Sequence, residues 1–217
     1  MPVRLVVIGD SFVEGRGDPA PHGSGYRGWL PTFAGLLGLR DDECRNHGEH
    51  LATTAAVLDR QLDAVRSARP RLAGMIAGFN DIVGEYRPAE FRANLTTIFD
   101  ALTRHASLAF TATYPDVTRR MALAAPAGAE IRARIRDANA ALRTVAAEFN
   151  LVCLDTARPG NGWDADELWS ADGIHPNRAG HLRFAGEMAD AVADSLGIAL
   201  TATAPDPAPP LPALAFH

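Results

Sequence analysis

The sequence predicts a three-layer α/β domain built on a central parallel sheet of about five strands. Three observations point there. Short apolar, β-rich runs alternate about five times with longer segments whose apolar residues recur at helical spacing, the signature of successive strand–helix units. The first run, Val3 to Ile8, is apolar at nearly every position, as strands covered on both faces are. And 217 residues, 47% hydrophobic and 22% charged, suit one globular domain with a sizeable core.

Taken in order, Val3 to Ile8 reads as a strand ended by Gly9, and residues 10–25, rich in Gly and Pro, as a long loop. Tyr26 to Leu37 reads as a helix with Trp29, Phe33 and Leu36 on one side. Cys44 to His47 is a short strand. Leu51 to Ala68 is an amphipathic helix stopped by Pro70. Leu72 to Ala77 is a strand closed by Gly78, and Pro88 to His105 a helix with Phe91, Leu95, Ile98 and Leu102 in phase. Leu108 to Thr113 is a strand ended by Tyr114-Pro115. Ala129 to Phe149 is a long helix, Leu151 to Leu154 the last strand, 156–175 a loop, and Pro176 to Leu196 the final helix. Residues 1–199 form the expected domain, and the Pro- and Ala-rich stretch 200–217 a tail.

Composition narrows the function. The net charge is −5 and the arginines are scattered, so no nucleic-acid surface is expected. Cys44 and Cys153, in apolar surroundings and without CxxC spacing, read as buried free thiols, not as a disulfide or a metal site. The N-terminal apolar run is too short for a signal-peptide core or a membrane span, so a cytoplasmic protein without a membrane partner is expected. The oligomeric state is not legible.

Open parallel sheets bind ligands at the carboxyl ends of their strands. Four polar sets fall on that edge: Gly9-Asp10-Ser11 after the first strand, Asn46-His47-Gly48 after the second, Gly78-Phe79-Asn80-Asp81 after the third, and Asp172-Gly173-Ile174-His175 before the last helix. Their residue types fit acyl transfer. Ser11 is a nucleophile that needs a base, and His175 titrates in the range suited to that task. Asp172, three residues upstream, can fix the imidazole tautomer. The backbone N–H of Ser11, the unhindered N–H of Gly48 and the amide of Asn80 are candidate oxyanion donors. Asp10 and Asp81 read as structural partners of nearby backbone N–H groups.

Gly9-Asp10-Ser11, Gly48, Gly78-x-Asn80-Asp81 and Asp172-x-x-His175, in this order, resemble the SGNH/GDSL hydrolase family across residues 3 to about 196. The resemblance implies a flavodoxin-like three-layer fold and metal-free, cofactor-free hydrolysis of esters. It makes Ser11 the nucleophile, His175 the base and Asp172 its orienter, with Ser11, Gly48 and Asn80 in the oxyanion hole. Phe12 stands where the name-giving motif has Leu. A second glycine common shortly after the first in the second block is absent; the chain reads Glu49-His50-Leu51 there.

Phe79, Tyr114, Trp163 and Trp169 lie beside these loops and are candidates for the substrate wall, whereas Trp29 sits at helical spacing and reads as core. The absence of a long apolar insertion favours small acyl esters, acetyl among them. An acyltransferase would use the same Ser11 acyl-enzyme, because only the acceptor differs. A phosphate cradle lacks its GxGxxG or GxxxxGK[ST] motif. A dinuclear metal site built on His47, His50 and Asp10 lacks further ligand motifs. A non-catalytic binding module would have no need of the full Ser, Asn, Asp and His set.

Overall fold

Five short strands, β1 (Leu5–Gly9), β2 (Cys44–Gly48), β3 (Leu72–Ile76), β4 (Leu108–Ala112) and β5 (Val152–Leu154), pair in parallel in the order β2-β1-β3-β4-β5. The computed structural model describes residues 2–22, 24–198 and 200. The 201–217 part of the expected tail lies outside the described residues. Successive β1 side chains point to opposite faces, and Leu5 to Ile8 are all fully buried. Each such side chain contributes about 1.5–3 kcal/mol relative to exposure. Val6 and Ile8 join a cluster with α3 (Thr54–Arg60), α4 (Leu62–Ala68), α6 (Pro88–His105) and α7 (Ala125–Glu148). Leu5 and Val7 join the other cluster, with α2 (Leu30–Leu36) and α8 (Arg178–Leu196). This is the three-layer, flavodoxin-like architecture. The order in which strands are added reverses between β1 and β3, which opens a crevice beside the end of β1.

The strands and α6 match the sequence pattern closely, and the differences elsewhere have local causes. The expected 10–25 loop begins with a four-residue helix, α1 (Ser11–Glu14), capped by Asp10, whose side chain accepts the Phe12 N–H. A second short helix, α5 (Phe79–Val83), starts directly after Gly78. The α2 helix starts at Leu30, because Gly28 adopts a left-handed φ of 63° and Pro31 favours the first turn. The expected 51–68 helix is two helices. Thr53 caps the first by accepting the Ala56 N–H, and Gln61 separates the two. The apolar rhythm runs through the break because both pieces pack on the same cluster. The helices α7 and α8 also shift at their starts, where Pro126 and the Asn177 cap set the first turns.

Gln61 has a reason to interrupt the helix. It is buried, its Oε1 accepts the Gly9 N–H at 2.7 Å, and its Nε2 donates to the Gly9 carbonyl at 2.9 Å. The side-chain amide thus acts as one more rung of strand pairing on the residue that ends β1. Replacing it removes an acceptor of a buried N–H and a donor to the same residue's carbonyl. Gln61→Leu should therefore cost about 1–3 kcal/mol in urea unfolding without changing the m value. An unchanged unfolding midpoint would show that the clamp adds nothing to stability.

Candidate active site

The polar sets expected on one sheet edge converge on the β1 crevice. Ser11 opens α1, buried to 8% exposure. His175 Nε2 lies 2.8 Å from its Oγ, and His175 Nδ1 lies 2.6 Å from Asp172 Oδ2. The second carboxylate oxygen of Asp172 accepts three bonds: the N–H of Ile174, the N–H of His175 and the Ser170 hydroxyl, at 3.0, 2.9 and 2.8 Å. The carboxylate therefore folds the turn that carries the imidazole it binds. Burial alone would raise its pKa, but these bonds to the charged form together hold it at about 2. With Asp172 ionised, Nδ1 carries the proton and Nε2 faces Ser11 Oγ as an acceptor.

Other contacts seat the two ends of this set. Asp10, almost wholly buried, accepts the Phe12 N–H at 3.0 Å. Its burial pushes the carboxyl up to about 7, against the opposing pull of that N–H bond. Asp81 accepts the N–H and the hydroxyl of Thr54 at 2.9 and 2.6 Å. Asn80 Nδ2 donates to the Ala52 carbonyl at 3.0 Å, which orients the amide and leaves its second proton unused. The loop between β2 and α3 is thus tied to the short helix α5.

Ser11, Asn80 and His175 open onto a cavity of about 230 Å³, and Phe79, Tyr114, Trp163 and Trp169 all stand in its wall. Both tryptophans also serve packing. Trp163 Nε1 donates to Glu187 at 2.8 Å and Trp169 Nε1 to the Trp163 carbonyl at 3.1 Å, while the Arg120 guanidinium stacks over Trp169. Among the described residues, no three His, Cys, Asp or Glu side chains cluster as metal ligands. Cys44 and Cys153 are free and half-buried.

Gly48 does not meet its expectation. It is not in the cavity wall, and its N–H already donates to Asn46 Oδ1 at 2.8 Å. Its lack of a side chain serves packing instead, since a Cβ there would stand 2.0 Å from the Glu14 nitrogen. The sequence reading missed Leu51, three residues on. Leu51 lines the cavity, holds a left-handed φ of 63° rare for a branched side chain, and its N–H has no acceptor among the described residues. The available signal was the second-block glycine that this chain replaces, because a left-handed backbone favours Gly.

A family model described as the GDSL-like lipase/acylhydrolase family matches residues 7–183. Among solved structures, a lipase/acylhydrolase from Enterococcus faecalis aligns at 21% identity and a TM-score of 0.66, covering 93% of this chain and 98% of its own. A catalytic mutant of Axe2, an acetylxylan esterase from Geobacillus stearothermophilus, aligns at 19% identity and 0.62, with 91% and 97% covered. TesA aligns at 19% and 0.68, with 88% and 98% covered. No curated protein matches the sequence.

The two carboxyls should titrate far apart. By carbon-detected NMR, Asp172 should stay ionised down to about pH 2, while Asp10 should keep its proton until about pH 7. An unfolded carboxyl ionises near 3.9, so the unfolded chain releases the Asp10 proton first. Asp10 therefore makes the fold less stable as pH rises from about 4 to about 7. An ordinary Asp10 midpoint near 4 would contradict its burial as the dominant influence.

Proposed function

This chain belongs to the GDSL-like lipase/acylhydrolase family and is an ester-hydrolysing enzyme, and on that premise we propose that it works through a covalent acyl-enzyme on Ser11. The observation that carries the proposal is the unbroken hydrogen-bonded chain from Ser11 Oγ through the His175 ring to Asp172. Ser11 Oγ attacks the ester carbonyl as His175 Nε2 takes its proton, and Asp172 stabilises the resulting imidazolium through Nδ1–H. Collapse of the tetrahedral intermediate breaks the bond to the alcohol, whose oxygen takes the proton from Nε2. A water molecule then gives a proton to Nε2 as its oxygen attacks the Ser11 ester, and collapse of the second tetrahedral intermediate breaks the acyl–Oγ bond, Ser11 Oγ taking the proton back from Nε2 as the acid leaves.

The oxyanion forms beside the start of α1. The Ser11 N–H has no acceptor among the described residues and is the first donor. The unused proton of the Asn80 amide is the second. The free Leu51 amide takes the third place, which the occupied amide of Gly48 leaves open. These donors gain strength only as charge develops on the oxygen, so their effect falls on kcat more than on KM. The acyl-enzyme would serve a transferase equally well, and a higher yield of new ester on addition of alcohols would favour that reading.

Ser11→Ala and His175→Ala should each lower kcat on p-nitrophenyl esters by on the order of 10⁴–10⁶-fold. Asn80→Ala should lower kcat by roughly 10²–10³-fold with a much smaller change in KM. Near-normal kcat in active-site-titrated Asn80→Ala would leave Asn80 as a loop tie alone.

The acid limb of kcat/KM should carry no contribution from Asp172. Asp172 is already ionised throughout that range, and the rate should fall as pH falls because a protonated Nε2 cannot accept from Ser11. A rate that stays flat from neutral to acid pH would contradict His175 as the base.

A further inference from the structure

We propose that the cavity beside Ser11 is an acyl-chain pocket, and that the preferred substrates are esters of medium-length, unbranched fatty acids and not of acetic acid. This rests on the serine-hydrolase reading above and adds the identity of the acyl group. The first ground is size. The cavity holds about 230 Å³. A methyl or methylene fills about the volume share of one water, roughly 30 Å³, so an acetyl group leaves most of the space vacant or wet. About seven or eight methyl or methylene groups fill it, with the reaction centre and the mouth included in that space.

The second ground is what the wall can bond. Inward of the polar mouth, the side chains that are nearly fully buried are Ile76, Ala112, Val117, Trp163 and Phe184. Most polar groups beside them are already committed. The Thr113 hydroxyl donates to Asp155, and the Thr156 hydroxyl to the Thr113 carbonyl. Both indole N–H groups are bonded elsewhere, and among the described residues the buried Tyr114 hydroxyl is left without a partner, a single polar group in an otherwise apolar interior. A sugar or a charged acyl group would lose its bonds to water here and find few in return. An alkyl chain loses nothing of that kind and gains with every carbon buried.

The mouth agrees with this. Leu51 and Val83, at 65% and 38% exposure, flank the opening and are among the few exposed large apolar residues of the described chain. An entering chain thus meets an apolar rim before an apolar floor.

The test is the wild-type kcat/KM profile over p-nitrophenyl acetate, butanoate, hexanoate, octanoate, decanoate and palmitate. Burial of each methylene predicts a rise of about three- to fourfold per carbon up to octanoate or decanoate, then a fall at palmitate. Filling the floor with Ala112→Leu or Val117→Phe should lower the octanoate-to-acetate ratio by at least about tenfold. The ratio is taken within one protein, so it is insensitive to the fraction that folds. An acetate optimum, or a ratio unchanged in both variants, overturns the acyl-pocket proposal while leaving Ser11 chemistry intact. Failure to turn over any ester, together with no covalent labelling of Ser11 by a fluorophosphonate, overturns both.

Discussion

The hydrogen bond between Ser11 and His175 joins residues 164 positions apart, and much of the structure serves to keep its two ends in register. One end rests on β1, whose burial on both faces leaves it no freedom to tilt. From there Gln61 pins Gly9, and the Asp10 cap starts α1, with Asn46 and Gly48 closing against its far side. The other end is the turn folded around Asp172. The two are docked directly. Arg178 pairs with the buried Asp18 at 2.9 Å, His181 Nε2 meets the Arg16 carbonyl at 2.8 Å, and Gly17 lies so close to Pro176 that a Cβ would stand 1.9 Å from its carbonyl oxygen. Burial holds the pKa of His181 below its ordinary value, which favours the neutral ring stacked on Phe12. The proposed nucleophile and base are thus set by backbone and buried contacts, and the single bond between them closes the arrangement.

Much of this was legible in the sequence, for identifiable reasons. Strands of five apolar residues and helices as long as α6 repeat their periodicity often enough to be read. The α1 and α5 helices, of four and five residues, are shorter than the period that would reveal them. Ser11, Asn80, Asp172 and His175 were legible as candidates because reactive side chains are scarce, two of these follow strands directly and two stand just before the last helix. The donor of the β2–α3 loop was not, because a backbone amide has no residue signature. Gly48 looked free and proved occupied, while Leu51, chemically unremarkable, holds the left-handed backbone and the unbonded N–H. Gln61 and His181 escaped notice because a lone polar residue inside an apolar helical rhythm reads as a solvent-facing position.

The site divides into a polar mouth and an apolar interior, and the two come from different parts of the fold. The mouth is built by turns directly after the strands, where backbone geometry limits variation. The interior is built by the ends of β3 and β4, the 155–176 loop and α8, where side-chain size alone sets the space. A fold of this kind fixes the reaction and leaves the acyl group to the walls. The aromatic contacts among Trp163, Trp169 and Phe184 hold that space open.

The central claim is that Ser11, activated by His175, is the residue that becomes acylated. Treating the folded protein with a fluorophosphonate, then digesting it and sequencing the modified peptide by tandem mass spectrometry, tests this most directly. The account predicts one adduct per chain, on Ser11, with His175→Ala forming it far more slowly. An adduct on any other residue, or none at Ser11 in folded protein, would contradict it.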